Sequence, residues 1–430
     1  MSALLYADFI ARRSSRVKPD GRKITTTDLH PSLMPFQAEI VVWAAQVGCP
    51  AVWADTGLGK TRMQLEWCRV MGETALVMTT LAVAMQTIEE AAKIGIDARY
   101  VRSSGDFTGP GIYVTNYEML DHFDPASLDA FALDESSILK QSDGKTRTKL
   151  IEHFSGVAYR SAWSATPGPN DPEELTNQAE FLGHMTRTNM LAAYFVHDQD
   201  GWRLKGHAIA PMIAWMSTWA MAIRKPSDLG YDDDGYILPG LRILPELVDV
   251  EIEAADDELF AATIGGVSGR SKVRKQSLAA RVERTVQRVN EEPSESWLLW
   301  CGLNDEAETL AAAIPGAVNV HGSMTPEQKA EHLLAFAHGD LKVLITKPKI
   351  ASMGLNFQAA ARMAFVGLSD SYEAYYQCIR RQYRYGQKRV VHAHVVLSHI
   401  EEQIIGNVLR KEKQANKLMD AMVQYRRNAS

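Results

Sequence analysis

Eight residues, Ala54-Asp55-Thr56-Gly57-Leu58-Gly59-Lys60-Thr61, constrain this chain more than any other stretch. They stand between an apolar run ending Ala51-Val52-Trp53 and a helical pattern opening Arg62-Met63-Gln64-Leu65, so the order is strand, glycine loop, helix. Gly57 and Gly59 lack the side chains that keep a backbone away from phosphate oxygens. Successive N–H groups and the helix N-terminus can therefore cradle a polyphosphate. Lys60 adds a point charge, and Thr61 offers a hydroxyl to a magnesium ion on the outer phosphates. Thr56, Gly57, Leu58, Gly59, Lys60 and Thr61 are thus the expected nucleotide contacts, with Thr61 also a metal ligand.

Around this loop the apolar runs alternate with helical patterns: residues 75–78, 99–101, 112–115, 131–133 and 157–163 read as strands. That alternation predicts a parallel sheet covered by helices. The runs end in polar clusters, Thr79-Thr80, Thr115-Asn116-Tyr117-Glu118, Asp134-Glu135-Ser136-Ser137 and Ser164-Ala165-Thr166. In an open α/β sheet ligands bind at the carboxyl ends of strands, so these clusters should line one edge with the loop. Asp134 is placed to hold magnesium through water, and Glu135 to orient or deprotonate the water that attacks the terminal phosphate. Upstream, Pro35 opens a helix to about Val47, and Gln37 carries the donor and acceptor needed to read an adenine edge.

The bounds are those of a globular protein. With 430 residues and 46% hydrophobic content the chain can fill two or three cores. A net charge of −6 gives no global attraction to nucleic acid, although residues 370–430 carry eleven Lys/Arg against six Asp/Glu. Cys49, Cys68, Cys301 and Cys378 form no CxxC pair, which speaks against a zinc cluster or disulfide framework and fits a reducing cytoplasm. Arg12-Arg13 follow Asp8 with no apolar signal core. The most apolar segment, Ala208 to Ile223, is too short to span a bilayer and contains Pro211; it is expected to be a buried helix, and no membrane partner is expected.

Taken together these motifs resemble superfamily 2 helicase-like ATPases, specifically Swi/Snf-type DNA translocases in a compact form like those of bacteriophages and prophages. The resemblance covers about Pro31 to Leu409. It makes Pro35-Phe36-Gln37 the adenine-reading element, Ala54 to Thr61 motif I, Thr115 to Glu118 motif Ib, Asp134 to Ser137 motif II, and Ser164-Ala165-Thr166 motif III, with Ser164 and Thr166 coupling hydrolysis to movement. Ala54 replaces the usual first glycine of motif I, a departure that helicase-like ATPases tolerate. Ser136-Ser137 stand where well-known members carry Gly-His or Ala-His; their hydroxyls could bond Ser164 or Thr166.

The later chain repeats the alternation without a phosphate loop, with strands at 297–300, 318–320, 343–346, 364–368 and 394–397, and so reads as a second lobe. Gln377-Cys378-Ile379-Arg380-Arg381-Gln382-Tyr383-Arg384-Tyr385-Gly386-Gln387 resembles motif VI. Arg381 and Arg384, i and i+3 on a helix, fall on its arginine-finger positions, and Gln377 on a coupling position. Thr346 to Gln358 looks like motif V, with Ser352-Met353 for paired glycines, and Ser369 to Glu373 replaces a Trp-Asn-Pro signature.

The expected fold is α/β, two tandem RecA-like lobes with ATP and magnesium in the interlobe cleft. Its divisions are a lead-in at 1–30, lobe 1 at 31–264 with a helical extension at 167–264, a linker at 265–269, and lobe 2 at 270–430. Trp202, Trp215 and Trp219 should pack the extension. Arg270, Lys272, Arg274 and Lys275 suit either phosphate contact or a solvated helix start. DNA is the expected partner, duplex ahead of single strands, of a monomeric motor, with Thr79, Thr115, Asn116 and Ser323 as backbone contacts. A strand-separating DNA or RNA helicase and a nucleic-acid-binding ATPase switch are the alternatives.

Overall fold

The computed structural model describes residues 21–140, 144–199, 201–250, 274–350, 356–368 and 371–429. It falls into two units, Met1–Asp234 with Lys413–Ser430, and Gly235–Glu412. The linker expected at 265–269, the motif V residues Ser352-Met353, and Arg270, Lys272, Ser369 and Asp370 lie outside the described residues.

The first unit runs α1 Pro35–Val47, β1 Ala51–Ala54, α2 Lys60–Met71, β2 Thr74–Thr79, α3 Leu81–Lys93, β3 Ala98–Tyr100, β4 Gly111–Asn116, β5 Ala130–Asp134, α4 Lys145–His153 and β6 Tyr159–Trp163. After these come α5 Leu175–Phe181, α6 Arg187–Tyr194, a hairpin of β7 Phe195–Asp198 and β8 Gly201–Leu204, α7 Ile209–Met216 and β9 Ala220–Ile223. Seven strands form one sheet in the order β3-β4-β2-β5-β6-β1-β9, parallel at every pairing. Helices cover both faces, which is why β1, and β5 up to Asp134, are apolar and buried rather than alternating. Behind the sheet Phe131 stacks on Phe154 at 4.0 Å, and Trp219 meets Trp53 edge-on at 6.0 Å.

One expectation is corrected here. The apolar segment Ala208 to Ile223 is a short helix followed by a strand, because residues 220–223 pair with all four residues of β1. Continuous hydrophobicity marks burial without fixing the period.

In the second unit are β10 Leu241–Val248, α8 Leu278–Glu291, β11 Trp297–Cys301, α9 Asn304–Ala313, β12 Val318–Val320, α10 Pro326–His338, β13 Val343–Thr346, β14 Arg362–Val366, α11 Tyr372–Ile379 and β15 Val391–Ser398. Its six strands are ordered β10-β15-β14-β11-β13-β12, again all parallel. Under α8 lies a charged core: Arg281, fully buried, donates to Glu306 at 2.7 Å, to the Val366 carbonyl at 2.7 Å and to the Arg274 carbonyl at 2.6 Å. Glu306 also accepts from the Gly302 and Leu303 N–H groups. A buried pair satisfied this fully costs about 3–5 kcal/mol if one partner is removed. Arg274, open in sequence between a phosphate contact and a solvated helix start, is thus a core ligand of Glu306 at 3.3 Å.

The division differs from the expected one at two places. β10, expected in the extension of lobe 1, pairs along its whole length with β15. The last helix, α12 Glu402–Ala429, is expected in lobe 2, yet from Lys413 onward it belongs to the first unit. Met419, Met422 and Val423 are part of that unit's core.

Candidate active site

The sheet of the first unit brings the sequence-predicted residues to one edge. Reading across β4, β2, β5 and β6, register places Asn116 beside Thr79, Met78 beside Leu133, and Asp134 beside Trp163, the residue before Ser164. The loop after β1 completes the row, and all the strands end there on the same side.

The loop itself has the backbone the sequence calls for. Gly57 and Gly59 have φ of 90° and 81°, a left-handed region that a β-carbon disfavours. Gly59 caps α2, so Lys60 and Thr61 form its first turn. Lys60 Nζ donates to the carbonyls of Ala54 at 2.7 Å and Asp55 at 3.2 Å, which folds the ammonium back over the loop. Thr56 N–H donates to the Asp55 carboxylate at 2.6 Å. Leu58 is buried and anchors the turn, while Thr56, Gly57 and Thr61 are partly open.

Gln37 is 4% exposed, and both ends of its amide are engaged: Nε2 donates to the Leu58 carbonyl at 2.8 Å, and Oε1 accepts from Met34 N–H at 3.0 Å. A β-carbon on Gly59 would lie 2.3 Å from that Nε2. The glutamine therefore clamps the phosphate loop, and reading an adenine would require it to exchange these bonds.

Asp134 is buried at the end of β5. Its Oδ2 accepts from Thr79 Oγ1 at 2.9 Å, and Tyr117 donates to its main-chain carbonyl. Burial raises the carboxyl pKa above the usual aspartate value, while the Thr79 bond and the charge of Lys60 pull the other way. A buried carboxylate near an ammonium and at the mouth of a phosphate loop suits a hydrated divalent cation, so Thr61 and Asp134 fit magnesium. Glu135 follows at φ 49°, the only non-glycine residue in that region among those described. Strain of this kind persists where the surroundings impose it, and it clusters at functional sites. The side chain turns toward β6, where Ser164 Oγ lies 3.5 Å from Oε2. Ser164 Oγ also accepts from Thr166 N–H at 3.0 Å, while the buried Thr166 hydroxyl makes no hydrogen bond.

The link between the Asp-Glu pair and the Ser-Ala-Thr segment thus runs through Glu135. Ser136 points elsewhere, 3.3 Å from Gln178 Oε1. Gln178 also accepts from Trp53 Nε1 at 2.9 Å and donates to the Pro167 carbonyl at 2.7 Å, tying β1 and the two polar segments to α5. Gln178 carries no motif in sequence, and Tyr117, although inside the Thr115 to Glu118 cluster, was not singled out for this role.

Three expected nucleic-acid contacts are corrected. Thr79, Thr115 and Asn116 are at most 3% exposed. Thr79 serves Asp134; Thr115 Oγ1 donates to the Val101 carbonyl at 2.8 Å; Asn116 accepts from Tyr100 at 2.6 Å and donates to Glu118. Strand-end hydroxyls and amides here satisfy the sheet edge. Ser323, in the second unit, is exposed, with His321 Nδ1 at 2.8 Å.

In the second unit α11 ends at Ile379, so Arg381 and Arg384 stand on the turn that follows rather than on a helix face. That turn is sewn down by amides: Gln382 Nε2 donates to the Arg362 carbonyl at 3.0 Å, and Gln387 Nε2 reaches the carbonyls of Gln358, Ala360 and Gln382, each at 3.1 Å. Phe357 N–H donates to the Arg381 carbonyl at 2.8 Å. Arg384 is partly exposed, but its Nε is covered and without a hydrogen-bond partner. Burial, then the neighbouring Arg381 and Arg380, push its pKa down to about 10. Arg380 spreads over the rings of Tyr376 and Tyr383, at 5.0 and 5.4 Å. Gln377 lies on the part-exposed side of α11.

Residues 280–386, which hold this turn and four of the six strands, match the family model of the helicase conserved C-terminal domain. No curated protein is similar. Among solved structures, the chain is similar to the Sulfolobus solfataricus SWI2/SNF2 ATPase core in complex with dsDNA, at 15% identity and a TM-score of 0.43 over 93% of this chain and 97% of that one. The Sulfolobus solfataricus SWI2/SNF2 ATPase core domain is similar at 17% identity and 0.44, over 90% of each chain. A phosphate loop with its Asp-Glu pair thus stands on one parallel sheet, and the residues that match the helicase conserved C-terminal domain form most of another.

Proposed function

We propose that this chain is a Swi/Snf-like DNA motor that hydrolyses ATP to move along duplex without stable strand separation. The observation that carries the catalytic part is Glu135, held at a left-handed backbone angle with its carboxylate toward Ser164, one residue beyond the buried Asp134. Lys60 and the loop N–H groups hold the phosphates, and Glu135 takes or orients the proton of the attacking water. Thr61 and Asp134 would hold magnesium, which supplies positive charge to the outer phosphates. Arg381 and Arg384 stabilise the charge that spreads over the transferring phosphoryl group.

Duplex movement without unwinding is favoured because two sheets and their covering helices take up most of the described chain. Phosphate tracking also needs no exposed bases. One observation favours a second reading, a strand-separating helicase: the β7–β8 hairpin is inserted between β6 and β9 of the first sheet and offers a candidate wedge. Its four-residue strands make it a short one.

The test measures ATPase rate with duplex DNA, single-stranded DNA and RNA in parallel, then presents a triplex-forming strand on a long duplex and, separately, a forked duplex. Displacement of the third strand with the fork left paired is the expected result. Efficient fork opening that is lost when the hairpin is shortened would establish the helicase instead. Stimulated hydrolysis with no displacement of either kind would leave an ATPase switch.

A further inference from the structure

On the face of the second sheet covered by α8, Glu292, His392 and His394 bring one carboxylate and two imidazoles together, each offering a ligand atom within 4.8 Å of the others. Among the described residues this is the one such group of three. His392 and His394 are i and i+2 on β15 and so share a face. Glu292 follows the last turn of α8.

His394 decides what the group is for. It is 4% exposed, and its Nδ1 sits 2.5 Å from Glu246, which is itself gripped by Arg284 at 2.5 Å and Arg288 at 2.7 Å. The other nitrogen, Nε2, is buried and makes no hydrogen bond. A buried imidazole nitrogen without a partner is costly. A carboxylate that fixes the tautomer from the far side is how metal-binding histidines are held.

We propose that Glu292, His392 and His394 form a site for one divalent transition-metal ion of the zinc class. Two nitrogens and a carboxylate suit that ion and leave a fourth position for water. Zinc bonds of about 2.0–2.1 Å set ligand atoms roughly 3.3 Å apart, so a small inward shift closes the site. Arg362 occupies Glu292 Oε2 at 2.7 Å, but a carboxylate has a second oxygen, and Glu295 lies 3.8 Å from Arg362 as another partner. The site lies at the amino ends of β11, β14 and β15, and the turn bearing Arg381 and Arg384 returns to that same end, since Gln382 donates to the carbonyl of Arg362, the first residue of β14. A bound ion would pin the end of α8 to β15.

The experiment titrates tag-free full-length protein, without nucleotide, with zinc against a chromophoric chelator, and with cobalt followed by visible absorption. One ion per chain is expected, with nitrogen–oxygen cobalt bands and a melting temperature that rises with zinc. His392→Gln and His394→Gln, shown folded by far-UV circular dichroism, should lose the bands, the thermal shift and at least tenfold in affinity. Glu246→Gln, which touches no ion, should weaken binding by about 10–100-fold. Absence of stoichiometric binding, equal binding in both histidine variants, or a thiolate band from any of the four cysteines would overturn the proposal.

Discussion

Each unit holds a functional charge at a cost, yet the two do so in opposite ways. In the first, Asp134, Glu135, Lys60 and Gln37 are all engaged within their own unit, by Thr79, Ser164, the Ala54 and Asp55 carbonyls and Leu58. In the second, glutamines and backbone satisfy the turn after α11, and Arg384 is left with a covered Nε and no partner. Nucleotide binding must therefore exchange bonds in the first unit, whereas at Arg384 Nε an anion would add one. The carboxylate is pushed toward its neutral form and so is the guanidinium.

The sharpest way to break this comparison is at Arg384. Arg384→Ala and Arg381→Ala should bind ATP almost normally and lose about 10³-fold or more of nucleic-acid-stimulated hydrolysis. If either instead mainly weakened DNA binding, with turnover intact at saturation, the turn would be a phosphate-binding surface. Next in size, Glu135→Gln should cut turnover by about 10²–10⁴-fold at unchanged nucleotide affinity, whereas Lys60→Ala should chiefly weaken nucleotide binding. Equilibrium binding of a fluorescent ATP analogue, beside steady-state rates, separates the two.

A smaller effect is expected at Gln37. Gln37→Ala removes the clamp on Leu58, worth about 1 kcal/mol, and should loosen the loop, seen as faster amide exchange at Leu58 and Gly59 in the free protein. If Gln37 leaves Leu58 for the adenine, ATP should produce the same loosening in the wild type.

The smallest effects are on stability, and their signs follow from the direction of each shift. For Asp134 the folded pKa is raised, so the burial penalty is absent in acid and is fully present above the raised value. Asp134→Asn should therefore raise the melting temperature of the nucleotide-free protein at neutral pH while abolishing magnesium-dependent turnover. The folded pKa of Arg384 is lowered, so its penalty is full below about 10 and is relieved as pH climbs toward the ordinary arginine value. The stability gained by Arg384→Met at neutral pH should accordingly shrink as pH rises past that point, in melts followed by circular dichroism.

Much of the fold was legible because parallel strands buried on both faces are written as short continuous apolar runs. Every such run in the first half, and the five in the second, corresponds to a strand. The strands that escaped have particular reasons. β9 continues the apolar segment of α7 and borrows its appearance. β10 contains Pro245 and Glu246 and falls in the stretch expected as a helical extension; an edge position tolerates the proline, Arg284 and Arg288 neutralise the glutamate, and His394 hydrogen-bonds it. At the site, residues whose backbone makes the chemistry possible were visible as motif, from Gly57 to Thr61 and at Asp134-Glu135. What could not be read was which polar strand-end groups face solvent. Thr79, Thr115 and Asn116 look like Ser323 in sequence, and only packing separates them.

The last helix has a consequence for how the protein is made. Arg224 donates to Asn416 at 2.9 Å, Arg427 to Asp228 at 2.9 Å, and Arg426 lies over the ring of Trp43 at 5.6 Å, while Met419, Met422 and Val423 enter the core. Domains usually fold in the order of their synthesis. Here the phosphate-loop unit lacks part of its interior until residues 413–429, which follow the whole second unit in sequence, have been made. A nascent chain stalled before Lys413 should hold that unit open to chaperones and proteases even when its whole sheet has been made. Appending the last eighteen residues in trans as a peptide should close it.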